Sequence, residues 1–305
     1  MTPVVYASSP TKRQRRNNAE LNVIREAIHL ALAADHPMTV RQVFYRLVIQ
    51  GVIEKSEKEY KGTICRMLTD MRLSGAIPFG WIADNTRWMR RPLTYSSVKE
   101  ALQHTAANYR RSLWDNQDDY VEVWLEKDAL AGVLYPVTSQ WQVPLMVSRG
   151  FSSLSYLHEA AQAIQSEDKP AHLYYFGDRD PSGVHIDRNI ERRLREFAPE
   201  AEIHFQRVAV TEAQIEELAL PTRPTKTSDS RSKGFKGESV ELDAIPPAAL
   251  RELVAGCIVQ HVDQRRLPAT QPPANDHFPA PDPFLRESAH ADHKTKSLAY
   301  PLPHR

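Results

Sequence analysis

The run Tyr174-Tyr175-Phe176-Gly177-Asp178-Arg179-Asp180-Pro181-Ser182-Gly183 ends an apolar, strand-like segment in two carboxylates one residue apart, with Pro and Gly close behind. Like charges this near each other disfavour ionising both. Such a pair persists either because the loop is solvated or because a cation sits between the carboxylates. Residues i and i+2 of an extended segment point the same way, so Asp178 and Asp180 can face one ion. A second apolar run, Val121-Glu122-Val123-Trp124-Leu125, leads directly into another acid, Glu126. Three carboxylates beside an oxygen-rich substrate make the hard site that Mg2+ prefers, with several waters retained. Pro181 and Gly183 predict a sharp turn into a helix whose N-terminal dipole can help hold a phosphate.

The elements that must position these acids follow from the rhythm of the chain after Tyr120. Apolar strands over 120–125, 143–148, 171–176 and 202–208 alternate with helices over 127–138, 153–165, 184–197 and 211–219. Repeated strand–helix units of this size predict a parallel sheet with helices packed on its faces. Right-handed crossovers bring the strand C-termini to one edge, which is where open α/β sheets bind ligands. Glu126, Asp178 and Asp180 all leave strands at that edge. Gly150-Phe151-Ser152-Ser153 follows the second strand there, and Ser153 suits a helix cap. Of the scattered histidines, His172 and His185 are expected near the acidic loop, packing or touching phosphate rather than binding metal.

The front of the chain has a different character. Residues 1–112 hold 18 Lys or Arg against 9 Asp or Glu, a balance of +9, while the rest holds 21 against 29, a balance of −8. A basic front beside an acidic rear points to a nucleic-acid-binding module joined to a second function. Residues 1–17 read as a mobile tail with Lys12, Arg13, Arg15 and Arg16. Helices are expected over 18–34, from Val40 with Thr39 as its cap, and from Ser56 to Leu73. A short extended hairpin is expected at Ile77–Ile82. Three helices and a hairpin make a winged-helix pattern, in whose relatives the third helix lies in the major groove. That helix carries Lys58, Lys61, Arg66 and Arg72, and Arg87-Trp88-Met89-Arg90-Arg91 interleaves an aromatic with cations, as phosphate-contacting segments do. The organisation expected is a tail over 1–17, a winged-helix domain over 18–93, a connecting helix within 94–117, an α/β domain over 118–265, and a disordered Pro- and His-rich tail over 266–305.

Composition excludes several classes. Hydrophobic content of 41% with 25% charged residues is that of a soluble globular protein. No apolar run approaches the roughly 20 residues of a membrane-spanning helix, and the N-terminus lacks the order of a secretory signal. Cys65 and Cys257 lie far apart and make no metal-ligand pattern, as expected of small buried thiols in a reducing cytoplasm. There is no phosphate-cradling GxxxxGK[ST] loop. Residues 221–240 form a long Pro-, Ser- and Lys-rich loop, which reads as a linker or as a DNA or subunit contact.

The segment from about 118 to 210 resembles a Toprim domain, the metal-binding fold of topoisomerases, primases and some nucleases. The marks of the likeness are Val-Glu-Val-Trp-Leu-Glu126-Lys127 and Phe-Gly-Asp178-Arg-Asp180-Pro-Ser-Gly183. Thr39-Val40-Arg41-Gln42-Val43-Phe44-Tyr45 resembles the motif that presents the DNA-cleaving tyrosine in the cleaving (A-type) subunit of topoisomerase VI and its meiotic relatives. The order of the two parts is that family's order. The resemblance covers roughly residues 20–265, with Glu241-Leu-Asp-Ala-Ile-Pro-Pro fitting the C-terminal part, and the short "mini-A" relatives are the nearest in size. It implies an α/β chain with a winged helix followed by a Toprim domain, acting on double-stranded DNA as a homodimer in which the tyrosine of one subunit faces the acids of the other. Tyr45 would form a 5′-phosphotyrosyl link, Mg2+ would be held by Glu126, Asp178 and Asp180, and Arg41 and Arg46 would lower the pKa of the tyrosine or bind phosphate. Tyr60 is the alternative nucleophile. Full strand passage would need a separate ATPase subunit. Two other readings stay open: a hydrolytic Toprim nuclease using metal-activated water, and a DNA-binding module without catalysis.

Overall fold

Asn17 and Thr39 start the first two helices, and each does so with a complete capping box. In the computed structural model, which describes residues 16–83, 93–109, 111–224 and 237–267, α1 spans Asn18–Ala34 and α2 spans Val40–Ile49. The Thr39 side chain accepts from the Gln42 N–H while the Gln42 side chain accepts from the Thr39 N–H. Two orphan donors of the first turn are thereby satisfied. Ile24, Ile28 and Leu32 of α1 and Val43, Phe44 and Leu47 of α2 are buried. The chain divides after Ile82 into two compact units.

In the first unit the third helix is not continuous. Ser56 caps α3 (Glu57–Glu59), a π turn follows over Tyr60–Ile64, and α4 runs over Cys65–Leu73. A π turn inserts one residue and rotates the helix beyond it, a feature common at functional sites. The expected hairpin at Ile77–Ile82 is instead a 3-10 turn over Phe79–Trp81, closed by Trp81 N–H to Pro78 O and Ile82 N–H to Phe79 O. Ile82 forms a single parallel bridge with Met38, and the Trp81 ring stacks on His36 at 4.7 Å. Arg87–Arg91, residues 1–15 and residues 268–305 lie outside the described residues, as does most of the 221–240 loop.

The second unit is α/β. An exposed helix, α5 (Val98–Asn108), precedes four strands: β1 (Tyr120–Leu125), β2 (Leu145–Val147), β3 (Ala171–Phe176) and β4 (Ile203–Ala209). All four are parallel, in the order β2-β1-β3-β4. The crossovers carry α6 (Ala131–Gln140), α7 (Leu154–Ser166) and α8 (Pro181–Phe197), and α9 (Glu212–Glu217) and α10 (Pro247–Val259) come after β4. Ser153 caps α7 as expected. Along β3 the side chains alternate. Ala171, Leu173 and Tyr175 join Trp124 in a core with Leu157, Ala161 and Ile164 of α7 and Ile186, Ile190 and Leu194 of α8. The opposite face presents Tyr174, which bonds Gln260 at the end of α10. Covering both faces is what a parallel sheet requires.

Candidate metal centre at the carboxyl edge of the sheet

The strand order reverses direction between β1 and β3, since β2 lies outside β1 and β4 outside β3. That switch point is where the ends of two adjacent strands leave a crevice. Leu125 pairs with Phe176, so the residues after them come out side by side. Glu126 N–H donates to Phe176 O at 2.9 Å, and the Asp178 N–H donates to Glu126 Oε2 at 2.9 Å. Tyr175 Oη also donates to Glu126 Oε2, at 3.3 Å. Gly177 is required here by close approach: a Cβ would lie 2.5 Å from Tyr175 Cε1 and 2.6 Å from Glu126 Oε2.

The turn after Asp178 differs from expectation in one respect. The helix begins at Pro181, three residues earlier than the pattern suggested, with Pro in the first turn where its missing N–H costs nothing. Asp180 is therefore the N-cap, its Oδ1 accepting from Gly183 N–H at 2.7 Å. Gly183 lies inside that first turn, where a Cβ would collide with the Asp178 carbonyl oxygen. Asp180 Oδ2 is 3.6 Å from Arg223. Arg207, on β4, holds the loop from beneath: its Nη1 donates to Gly177 O and Asp178 O, its Nη2 to Gly183 O, and its Nε pairs with Asp187 at 2.6 Å.

Three further charged residues belong to this edge, although the sequence reading gave them no role there and quoted them only as marks of the resemblance. Lys127 Nζ lies 3.0 Å from Asp178, 2.8 Å from Asp243 and 3.4 Å from Glu241. The segment after the long loop returns to pair with the acidic turn through Arg179 and Val240, and Leu242 N–H donates to Asp178 Oδ1 at 2.8 Å. Glu241 and Asp243 repeat the i,i+2 acid spacing that singled out Asp178 and Asp180, and that repetition was the available signal. Burial by itself would lower the Lys127 pKa, but Asp243, Asp178 and Glu241 raise it well above the ordinary lysine range.

Electrostatics at this edge are unbalanced. Among the described residues, Glu126, Asp178, Asp180, Glu241 and Asp243 gather around Lys127 and Arg223. Burial pushes the Glu126 carboxyl up to about 7, and the Asp178 charge adds to it. Burial likewise raises Asp178, against the pull of Lys127. Carboxylate oxygens are the hard donors that a divalent cation of the Mg2+ kind takes. Glu126, Asp178 and Asp180 lie along this edge, but their carboxylates are not among the described groups of three donors that come within 4.8 Å of one another. Asp178 Oδ1 is held by Lys127 and Leu242 N–H, and Asp180 Oδ1 by Gly183 N–H.

The tyrosines lie in the first unit. Tyr45 is buried, 3% exposed, with its ring edge-on to Phe44 at 5.3 Å and Lys55 Nζ 5.5 Å from its centroid. Arg41 places its guanidinium 4.3 Å from the centre of the Tyr60 ring and 3.4 Å from Glu57. Tyr60 is half-buried at the start of the π turn. Lys58, Lys61 and Arg66 are exposed, while Arg72 bonds the carbonyl of Leu68.

His172 is not near the acidic loop. As the second residue of β3 it sits at the opposite edge of the sheet, because a strand of this length separates its two ends by roughly 17–20 Å. There it meets Asp119 and His261, and burial together with the His261 charge lowers its pKa. Asp119, His172 and His261 are the group of three potential metal ligands found within 4.8 Å of one another among the described residues. No described helix is long and apolar enough to cross a membrane. No protein-family model matches the chain, and no curated protein matches it.

Proposed function

We propose that this chain is a Mg2+-dependent DNA-cleaving enzyme of the kind found in the cleaving subunit of topoisomerase VI, with a winged-helix part over 18–93 and a Toprim-like part over 118–265. The observation that carries this reading is the meeting of Glu126 with the Asp178–Asp180 turn at the switch point of a parallel sheet. A phosphodiester held there would lie over a negative edge that becomes receptive only with a cation bound. Held by Glu126, Asp178 and Asp180, Mg2+ would neutralise charge on the phosphate. In the transesterification the phenol oxygen of Tyr45 forms a bond to phosphorus, the P–O3′ bond breaks, and the 3′ oxygen leaves with a proton. Arg41 would bind phosphate beside it. The exposed Lys58, Lys61 and Arg66 would contact the duplex backbone. Since the tyrosine and the acids belong to different units, a homodimer would let one copy's tyrosine serve the other's acids. Strand passage would require a separate ATPase.

The burial of Tyr45 favours a second reading, in which water attacks phosphorus and no tyrosine is needed. One experiment separates the two. On the covalent reading, protein stays attached to 5′ DNA ends after denaturation, Tyr45→Phe cuts nothing, and Asp180→Ala lowers cleavage at least roughly 100-fold. Cutting that survives in both Tyr45→Phe and Tyr60→Phe but fails in Asp180→Ala establishes hydrolysis. Cutting that survives in Asp180→Ala and Asp178→Ala removes both readings.

A further inference from the structure

We propose that Asp119, His172 and His261 bind a divalent transition-metal ion of the zinc class, at the sheet edge opposite the acids. Three elements meet there. Asp119 immediately precedes β1, His172 lies in β3, and His261 comes just after α10. His261 Nδ1 is 2.6 Å from Asp119 Oδ2, and His172 Nε2 is 3.6 Å from Asp119 Oδ1. One donor atom from each residue lies within 4.8 Å of the others. Ligand atoms on a tetrahedral zinc ion with bonds near 2.05 Å are about 3.3 Å apart, so small side-chain rotations complete the set. Two imidazoles and one carboxylate are the donors that suit zinc and its first-row neighbours rather than Mg2+.

The surroundings are those of a built site. The far nitrogen of His261, Nε2, is 2.6 Å from the Tyr174 hydroxyl, which in turn accepts from Gln260 Nε2 at 2.6 Å. Without an ion, Nδ1–H donates to Asp119 and Nε2 accepts from the Tyr174 hydroxyl. An ion at Nδ1 would displace that proton, and Tyr174 would then accept from Nε2–H as the outer-shell partner that orients a ligating histidine. The His172 ring is stacked on His204 at 4.6 Å and lies 4.1 Å from the His261 ring, which fixes its plane. A simple Asp–His–Tyr hydrogen-bond chain accounts for His261. It does not account for His172, whose Nε2 faces the same carboxylate from beyond hydrogen-bond distance. Asp119 and His172 keep 29% and 22% side-chain exposure, which leaves room for a water as the fourth ligand. The ion would tie the segment after α10 to the beginnings of β1 and β3, across 142 residues of chain.

The test uses the full chain, stripped with chelator and titrated with Zn2+ by calorimetry, and with Co2+ by visible absorption. Expected is one equivalent of Zn2+, a Co2+ spectrum of low-coordinate nitrogen and oxygen ligation, and a melting temperature raised by Zn2+. His172→Ala and His261→Gln should each weaken binding by roughly tenfold or more, while Asp180→Asn leaves it unchanged. Circular dichroism of each variant without metal separates lost ligation from lost folding, and His172→Ala removes only a half-buried ring. The proposal is overturned if the wild-type chain binds no Zn2+, if folded His172→Ala and His261→Gln bind it as the wild type does, or if Asp180→Asn abolishes it. None of these outcomes depends on DNA cleavage.

Discussion

The two edges of one parallel sheet carry opposite kinds of charge clusters. At the carboxyl edge, five acids surround Lys127 and Arg223, and burial holds Glu126 up to about 7. At the amino edge, one carboxylate, Asp119, serves two imidazoles. The first edge is over-supplied with hard anionic donors and is under electrostatic strain; the second is close to balanced and uses softer nitrogen donors. Strand direction explains why both exist on one sheet. Parallel pairing collects all strand ends of one polarity on each edge, so residues distant in sequence become neighbours twice over. The difference teaches that donor type and charge surplus, rather than the presence of acids, distinguish the two sites.

The largest expected effect comes from removing the internal cation of the acidic edge. Lys127→Met removes the cation that Asp178, Glu241 and Asp243 share. Breaking a buried ion network from one side costs about 3–5 kcal/mol. The partial exposure of Lys127, 23% of its side chain, reduces that to about 2–4 kcal/mol. Chemical denaturation in metal-free buffer should show the loss, and Mg2+ should recover part of it. A loss below about 1 kcal/mol, the scale of a solvated pair, would mean that the contrast between the edges is only apparent. By the same logic Asp178→Ala is not a harmless deletion, because it strips Lys127 of one partner and Leu242 N–H of its acceptor.

How far the sequence foretold this depends on whether partners were local. The limits of β1 and β3 could be read to the residue, since each is a mostly apolar and aromatic run, interrupted only by Glu122 or His172, that ends at a charge or a glycine. The three-residue β2 was overestimated because a short edge strand carries little pattern. The π turn at Tyr60–Ile64 has no compositional mark beyond Gly62. The sequence placed Glu126 and Asp178 just past the ends of β1 and β3, and Asp180 two residues further on, where it caps α8. Glu241 and Asp243 were not tied to them, since their approach depends on a return of chain 64 residues after Asp178. The histidine edge was invisible for the same reason, being assembled by register alone.

A smaller effect, of opposite sign, tests the strain directly. Glu126 faces Asp178 and Asp180 as like charges, Lys127 as a counter-charge and the Tyr175 hydroxyl. Its folded pKa, about 7, lies above the ordinary 4.5. The native state then holds a proton that the unfolded chain releases, so stability falls as pH rises from 4.5 to about 7 and is level above. Glu126→Gln should therefore stabilise the metal-free protein by about 1–3 kcal/mol at about pH 8, with the gain vanishing near pH 5. Glu122 is an internal control on the same strand. It is fully buried, holds bonds from Tyr120 Oη and Trp124 Nε1, and is likewise raised to about 7 by burial. Glu122→Gln should gain similarly, but Mg2+ should reverse the advantage at Glu126 only. Equal Mg2+ responses of the two variants would deny Glu126 a place in the metal site.

The smallest effect belongs to the amino edge and has the reverse pH sign. Burial and the His261 ring hold the His172 pKa below 6.5, opposed by Asp119. Facing it are Asp119, His204 and His261. Below about pH 6.5 the unfolded chain takes up a proton that native His172 resists, so this group's contribution is lost as pH falls and is level above. His172→Gln should change metal-free stability by only about 0.5 kcal/mol at about pH 8, as for a half-buried polar substitution. Towards pH 5 the variant should gain on the wild type, the opposite of Glu126→Gln, whose gain disappears there. Paired denaturation curves for the two variants at the two pH values measure both slopes at once. Slopes of the same sign would mean that one charge field spans the sheet, and the division into a strained edge and a balanced edge would fail.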